Sequence, residues 1–153
     1  MLLLCAFLLG LVAGLRSMMA PAVVSWFAHL DVLDVSQTPV ALMGYRITVI
    51  IFSVLAVGEL IADKLPMTPS RKQPLSFGIR IVTGALVGAT IGASGGRLAL
   101  GLILGAVGAV VGTLAGAAAR AELASDFGRD LPAAILEDIA AIAIAVFAVL
   151  RLR

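Results

Sequence analysis

Charge is what this chain has least of. Only 13% of its 153 residues are Asp, Glu, Lys or Arg, about half the share usual in a soluble globular domain. By contrast, 61% are hydrophobic and the mean hydropathy is +1.14. There is one cysteine, Cys5, which excludes an intrachain disulfide and a cysteine-based metal cluster. There is one histidine, His29, which removes the usual zinc ligand sets and any triad needing a different histidine. No metal and no cofactor is therefore expected. So sparse an inventory of nucleophiles and bases argues against an enzyme. The net charge of +2 and pI near 9.2 would suggest nucleic acid in a soluble protein. Here the cations stand mostly at the ends of apolar segments, where they set topology, and no nucleic-acid partner is expected.

What the chain has in quantity is uninterrupted apolar sequence. A hydrocarbon core of about 30 Å takes roughly 20 helical residues to cross, and residues 98–119 run for twenty-two positions without a charge. The expected fold is all-α, a polytopic transmembrane helical bundle forming one integral membrane domain over 1–153. About five spans are expected, at 2–28, 40–62, 79–93, 98–119 and 133–150. The first is interrupted by Arg16, Ser17 and Pro21, which predicts a kinked or discontinuous helix. A secretory-signal reading of this segment fails, because its positive charge follows the apolar core instead of preceding it. The interior of 40–62 is rich in β-branched residues, yet a helix satisfies every backbone group in lipid. Pro66, Pro69 and Pro74 with Arg71 and Lys72 mark a stiffened hydrophilic loop after it.

Glycine recurs at Gly84, Gly88 and Gly92 in the third segment and at Gly101, Gly105, Gly108, Gly112 and Gly116 in the fourth. Small residues at such spacing let membrane helices approach backbone to backbone. The short turn Ser94-Gly95-Gly96-Arg97 makes the two segments antiparallel neighbours. Helix contact within the protomer is the leading use of these stripes and a subunit interface the other. Because five helices are thin for a full pathway, a homo-oligomer is expected. Six cations (Lys64, Arg71, Lys72, Arg80, Arg120, Arg129) fall on one side of this arrangement against three (Arg97, Arg151, Arg153) on the other. That places the amino terminus inside for five spans, or outside if the broken first region dips in and returns.

Few polar groups interrupt the apolar runs, and these are the candidate site residues. Glu59 and Asp63 are four apart and share a helix face. Glu59 is deep enough to require a partner or water, whereas Asp63 reads equally well as a helix end beside Lys64. Glu137 and Asp138 follow Pro132 near a helix start, where the helix dipole alone would stabilise them. If the inner ends of spans two and five adjoin, these four carboxylates could ring an inner vestibule suited to cations, protons or a basic headgroup. Arg16, with Ser17 beside it, is an intramembrane cation whose direct pairing with Glu59 is not assured by depth alone. Arg46 and Arg80 read as headgroup anchors. Trp26, Phe27 and Tyr45 read as an aromatic belt.

Three stretches carry a resemblance: Gly14-Leu15-Arg16-Ser17-Met18-Met19-Ala20-Pro21-Ala22, Gly58-Glu59-Leu60-Ile61-Ala62-Asp63-Lys64-Leu65-Pro66 with Thr68-Pro69-Ser70-Arg71, and Leu136-Glu137-Asp138. In these the chain resembles a bacterial family of small integral membrane proteins catalogued as a domain of unknown function, DUF4126. The resemblance covers nearly the whole length and implies a multi-pass protein of the bacterial inner (cytoplasmic) membrane. It carries no activity, substrate or cofactor. The residues themselves support a transporter or channel-like protein for a small solute, ion or lipid headgroup. Arg16 and Glu59 would form its polar core, with Asp63, Glu137 and Asp138 at the entrance. The rival is a non-transporting structural or lipid-interacting protein assembled through its glycine-striped helices.

Overall fold

The computed structural model describes residues 1–62, 73–127 and 130–152, with the side chains of 126, 127, 130 and 131 left aside. It contains α1 (Leu2–Leu15), α2 (Met19–His29), a 3₁₀ turn (Ala41–Gly44), α3 (Arg46–Ala62), α4 (Pro74–Ser94), α5 (Leu98–Phe127) and α6 (Asp130–Leu150), and no strand among the described residues. Pro74–Ser94, Leu98–Ser125 and Pro132–Leu150 are each long and apolar enough to cross a bilayer, which makes this a multi-pass membrane protein.

The helix boundaries follow local chemistry. The expected first helix is two, parted at Arg16–Met18, and Pro21 lies in the first turn of α2 instead of at the break. There its missing N–H removes no intrahelical bond. After Pro39 the chain tightens into the 3₁₀ turn, so the second long helix begins at Arg46 and not at 40. The third begins at Pro74, ahead of the expected 79, because Pro74 takes the first helical positions with Gln73 as N-cap. The fourth runs beyond 119 to Phe127, carrying Arg120 and Glu122 on its extension.

At the centre stands α1, whose Cys5, Ala6, Leu9, Val12 and Ala13 are all buried between α4, α5 and α6. Its direction is fixed by its neighbours. The Leu2 side chain lies by Gly95 at the far end of α4, while Gly14 and Leu15 lie by Arg80 near the start of α4. α1 is therefore antiparallel to α4. It is parallel to α5, since Gly10 meets Gly105 and Gly14 meets Ala109 and Thr113. The amino terminus thus shares an end of the bundle with Gly95–Arg97, opposite to the five-span expectation and in agreement with a first region that dips in and returns.

Glycine explains how close these helices come. A β-carbon at Gly84 would sit 2.7 Å from the Gly105 carbonyl oxygen, and one at Gly101 2.7 Å from Gly92 Cα. The stripe on α5 serves two partners: Gly101 and Gly105 face α4, whereas Gly108 and Gly112 meet Phe7 and Leu11 of α1. Gly10 and Gly14 complete that second contact. In the α4–α5 turn Gly96 has φ +69, a left-handed conformation suited to glycine.

α2 and α3 form a separate antiparallel pair against this core. Trp26 Nε1 donates to Ser53 Oγ at 3.1 Å, and His29 Nδ1 donates to the Gly44 carbonyl at 2.9 Å. Trp26 and Tyr45 are both exposed near this end of the pair.

Candidate functional site

A helix that stops leaves main-chain carbonyls open, and one that starts leaves N–H groups open. Between α1 and α2 both happen within three residues, Arg16 to Met18, with Arg16 extended at φ −136, ψ 105. Inside a lipid-crossing bundle such groups need protein partners, since bulk water is absent. Ionised side chains supply them here.

Arg80 of α4 closes the end of α1, where its Nη1 donates to the carbonyls of Gly14 (2.7 Å) and Leu15 (2.8 Å). Thr113 Oγ1 also reaches the Gly14 carbonyl at 3.2 Å, while lying 2.8 Å from the Ala109 carbonyl of its own helix. Glu59 of α3 closes the start of α2. Its Oε1 accepts from Ser17 N (2.8 Å) and Ser17 Oγ (2.7 Å), and its Oε2 from Met18 N (2.8 Å). Each charge has the sign that the helix dipole favours at that terminus. The two caps are also joined, with Arg80 Nη2 3.8 Å from Glu59 Oε1.

Two further pairs extend the network. Arg16, at 0% exposure, forms an ion pair with Asp138 of α6. Arg120 of α5 lies 3.6 Å from Glu137 of α6. Three arginines and three carboxylates thus balance within one region. Beside the end of α1, a cleft of about 280 Å³ separates α5 from α6 and includes Leu15, Arg120 and Glu137 in its lining.

Of the residues singled out in the sequence, Arg16, Ser17, Glu59 and Asp138 come together at the break, and Glu137 stands beside them with Arg120. Asp63 lies outside the described residues. The expected vestibule of carboxylates takes a different form, because Glu59, Glu137 and Asp138 each face an arginine. Arg16 pairs with Asp138, while Glu59 takes the backbone and Arg80. Arg80 itself corrects the sequence reading. Only 4% exposed, it is an internal cap and not a headgroup anchor, whereas Arg46 is exposed. Thr113 was also missed, having no local signal beyond being a hydroxyl in a glycine-rich helix. Among the described residues, no group of three His, Cys, Asp or Glu side chains could hold a metal ion.

Outside the bundle, Asp34 accepts from Ser36 Oγ (2.7 Å) and Ser36 N (3.2 Å) in the loop after α2. The side-chain bond first, then the backbone one, holds its carboxyl below the ordinary value.

Apolar spanning helices gathered around a charge-capped helix break define a class, that of compact polytopic α-helical membrane proteins. Within it, the chain belongs to the family described as Domain of unknown function (DUF4126), whose model matches residues 3–151. No curated protein and no solved structure matches the chain.

Proposed function

We propose that this chain is a small transporter or channel-like protein of the bacterial inner membrane, moving a small solute, an ion or a lipid headgroup, with the break between α1 and α2 as its working part. One observation carries the reading: both ends of the break are closed by an acidic and a basic side chain, Glu59 and Arg80, which come from different helices. A static break can be satisfied by neutral hydroxyls and backbone. A carboxyl group and a guanidinium make the closure sensitive to a charged solute, and displacing either one releases the end of a helix. Discontinuous helices with charged partners are a recurring way to build solute and ion sites in secondary transporters. Ionisable groups at such depth commonly mark pathways.

The topology that fits this reading has a re-entrant pair, α1 and α2, and four full spans, α3 to α6. α1 rises about 20 Å at 1.5 Å per residue, so the break lies roughly two-thirds of the way across a core of about 30 Å. The amino terminus, Arg97 and the end of α6 then lie outside, and the end of α3 and the start of α4 lie inside. With Arg80 drawn into the protein, Lys64, Arg71 and Lys72, which fall between α3 and α4 in the sequence, carry most of the positive-inside signal.

What weighs against the rival reading, assembly through glycine stripes, is that seven of the eight stripe glycines, Gly84, Gly88, Gly92, Gly101, Gly105, Gly108 and Gly112, approach backbone within the chain.

Reconstitution tests the proposal. Proteoliposomes carrying a pH-sensitive dye, under an imposed potassium diffusion potential and a panel of small anions and cations, should show flux above empty vesicles. Glu59→Gln should keep the folded gel-filtration profile and lose most of that flux. Equal flux in Glu59→Gln and unaltered protein, or none above empty vesicles, would refute the reading.

A further inference from the structure

The cleft of about 280 Å³ between α5 and α6 combines apolar walls with a charge pair. Leu15, Gly116, Ala119 and Ala140 give it apolar, mostly small walls, chemistry that suits a hydrocarbon chain. In the same lining stand Arg120 and Glu137, 3.6 Å apart with side chains 15% and 8% exposed, so one cation and one anion meet the occupant side by side. Arg120 lies on α5 about 10 Å beyond Thr113 at 1.5 Å per residue, toward the Phe127 end of the helix.

We infer that this cleft binds one amine-bearing phospholipid, with a stretch of acyl chain in the slot, the phosphate on Arg120 and the primary ammonium on Glu137. The paired charges select the headgroup. A neutral amphiphile uses neither charge. A purely anionic lipid gains from Arg120 but is repelled by Glu137. A quaternary choline carries positive charge without an N–H to donate to the carboxylate, whereas a primary ammonium has three. The site stands whether or not the chain transports anything.

Native mass spectrometry of the detergent-purified protein tests it, titrating phosphatidylethanolamine, phosphatidylcholine and phosphatidylglycerol of identical acyl chains. One phosphatidylethanolamine should be retained at a roughly fivefold lower concentration than either of the others, the factor that one partly exposed charged contact supports. Glu137→Gln should erase that preference, and Arg120→Gln should weaken all three lipids. Ala119→Leu, at an exposed wall position, fills the slot without touching a charge and should lower retention severalfold. It decides the matter if a charge variant does not fold. Equal retention of the three lipids, a preference for phosphatidylglycerol, a preference that survives Glu137→Gln, or unchanged retention in Ala119→Leu overturns the inference.

Discussion

Replacing Arg80 by Met keeps most of the side-chain volume and removes only the guanidinium. Two hydrogen bonds from a charged donor then vanish, to the carbonyls of Gly14 and Leu15, each worth about 1.5–3 kcal/mol. Thr113 still reaches the Gly14 carbonyl, so the Leu15 carbonyl bears most of the loss. Glu59 also loses its nearest guanidinium, at 3.8 Å. Removing one partner of a buried charge pair costs about 3–5 kcal/mol, and Arg80 is only 4% exposed, so little of this is screened by solvent. We expect a loss of about 3–5 kcal/mol, about a fifth or more of the ~5–15 kcal/mol that holds a typical fold. Arg80→Lys keeps the charge but concentrates its donors at one point and should fall between Met and the original. Arg46→Met, at an exposed position, should change stability by less than about 0.5 kcal/mol. The assay is SDS-driven unfolding in mixed micelles, read by the single tryptophan, Trp26, whose indole bonds Ser53 across the α2–α3 pair. If Arg80→Met unfolds at the same SDS fraction as Arg46→Met, the capping account is wrong.

Two glycine substitutions should move in opposite directions in that assay. A β-carbon at Gly88 would lie 2.8 Å from Gly105 Cα and closer still to the Gly101 carbonyl, so Gly88→Ala should cost about 1–3 kcal/mol or more through overpacking. A β-carbon at Gly58 meets nothing within 4 Å, so Gly58→Ala should be neutral or stabilise α3 by up to about 1 kcal/mol. Equal effects at the two sites would remove the argument from backbone contact. For Asp34 the sign follows from a folded-state value held below 3.8. Its contribution is present above that pH and is lost as pH falls through the lower folded value. A carboxyl NMR titration should therefore give a midpoint under 3.8, and Ser36→Ala should move it back up. An unchanged midpoint would show that the Ser36 bonds do not set it.

The helical class, the glycine contacts between α4 and α5, and an interruption near Arg16 could all be read along the chain, because hydropathy, spacing and charge are local signals. Gly10 and Gly14 were also readable, being four apart on one helix, yet they escaped notice beside the longer stripes. What could not be read is which charge meets which. Arg80 looks like a boundary cation because it stands six positions after Pro74, where a span is just beginning. Its burial depends on the end of α1 reaching the same level, 65 residues earlier in the chain. Arg16 is similar: its depth demanded a partner, but only the packing of α6 against α1 selects Asp138 over Glu59. The position of the break turned on the same point. Proline marked the neighbourhood, while caps from α3 and α4 hold the chain open at Arg16–Met18.

The fourteen-residue α1 is synthesised before the helices that enclose it, α4, α5 and α6. A segment that short cannot hold a transmembrane position by its own hydrophobic length, so it must wait at the membrane surface or in the insertion machinery until the final third of the chain has been synthesised. Docking of α1 therefore follows the synthesis of α4, α5 and α6, into a groove that did not exist when α1 was translated. Chains cut short before α5 would leave that piece stranded and open to quality-control proteolysis.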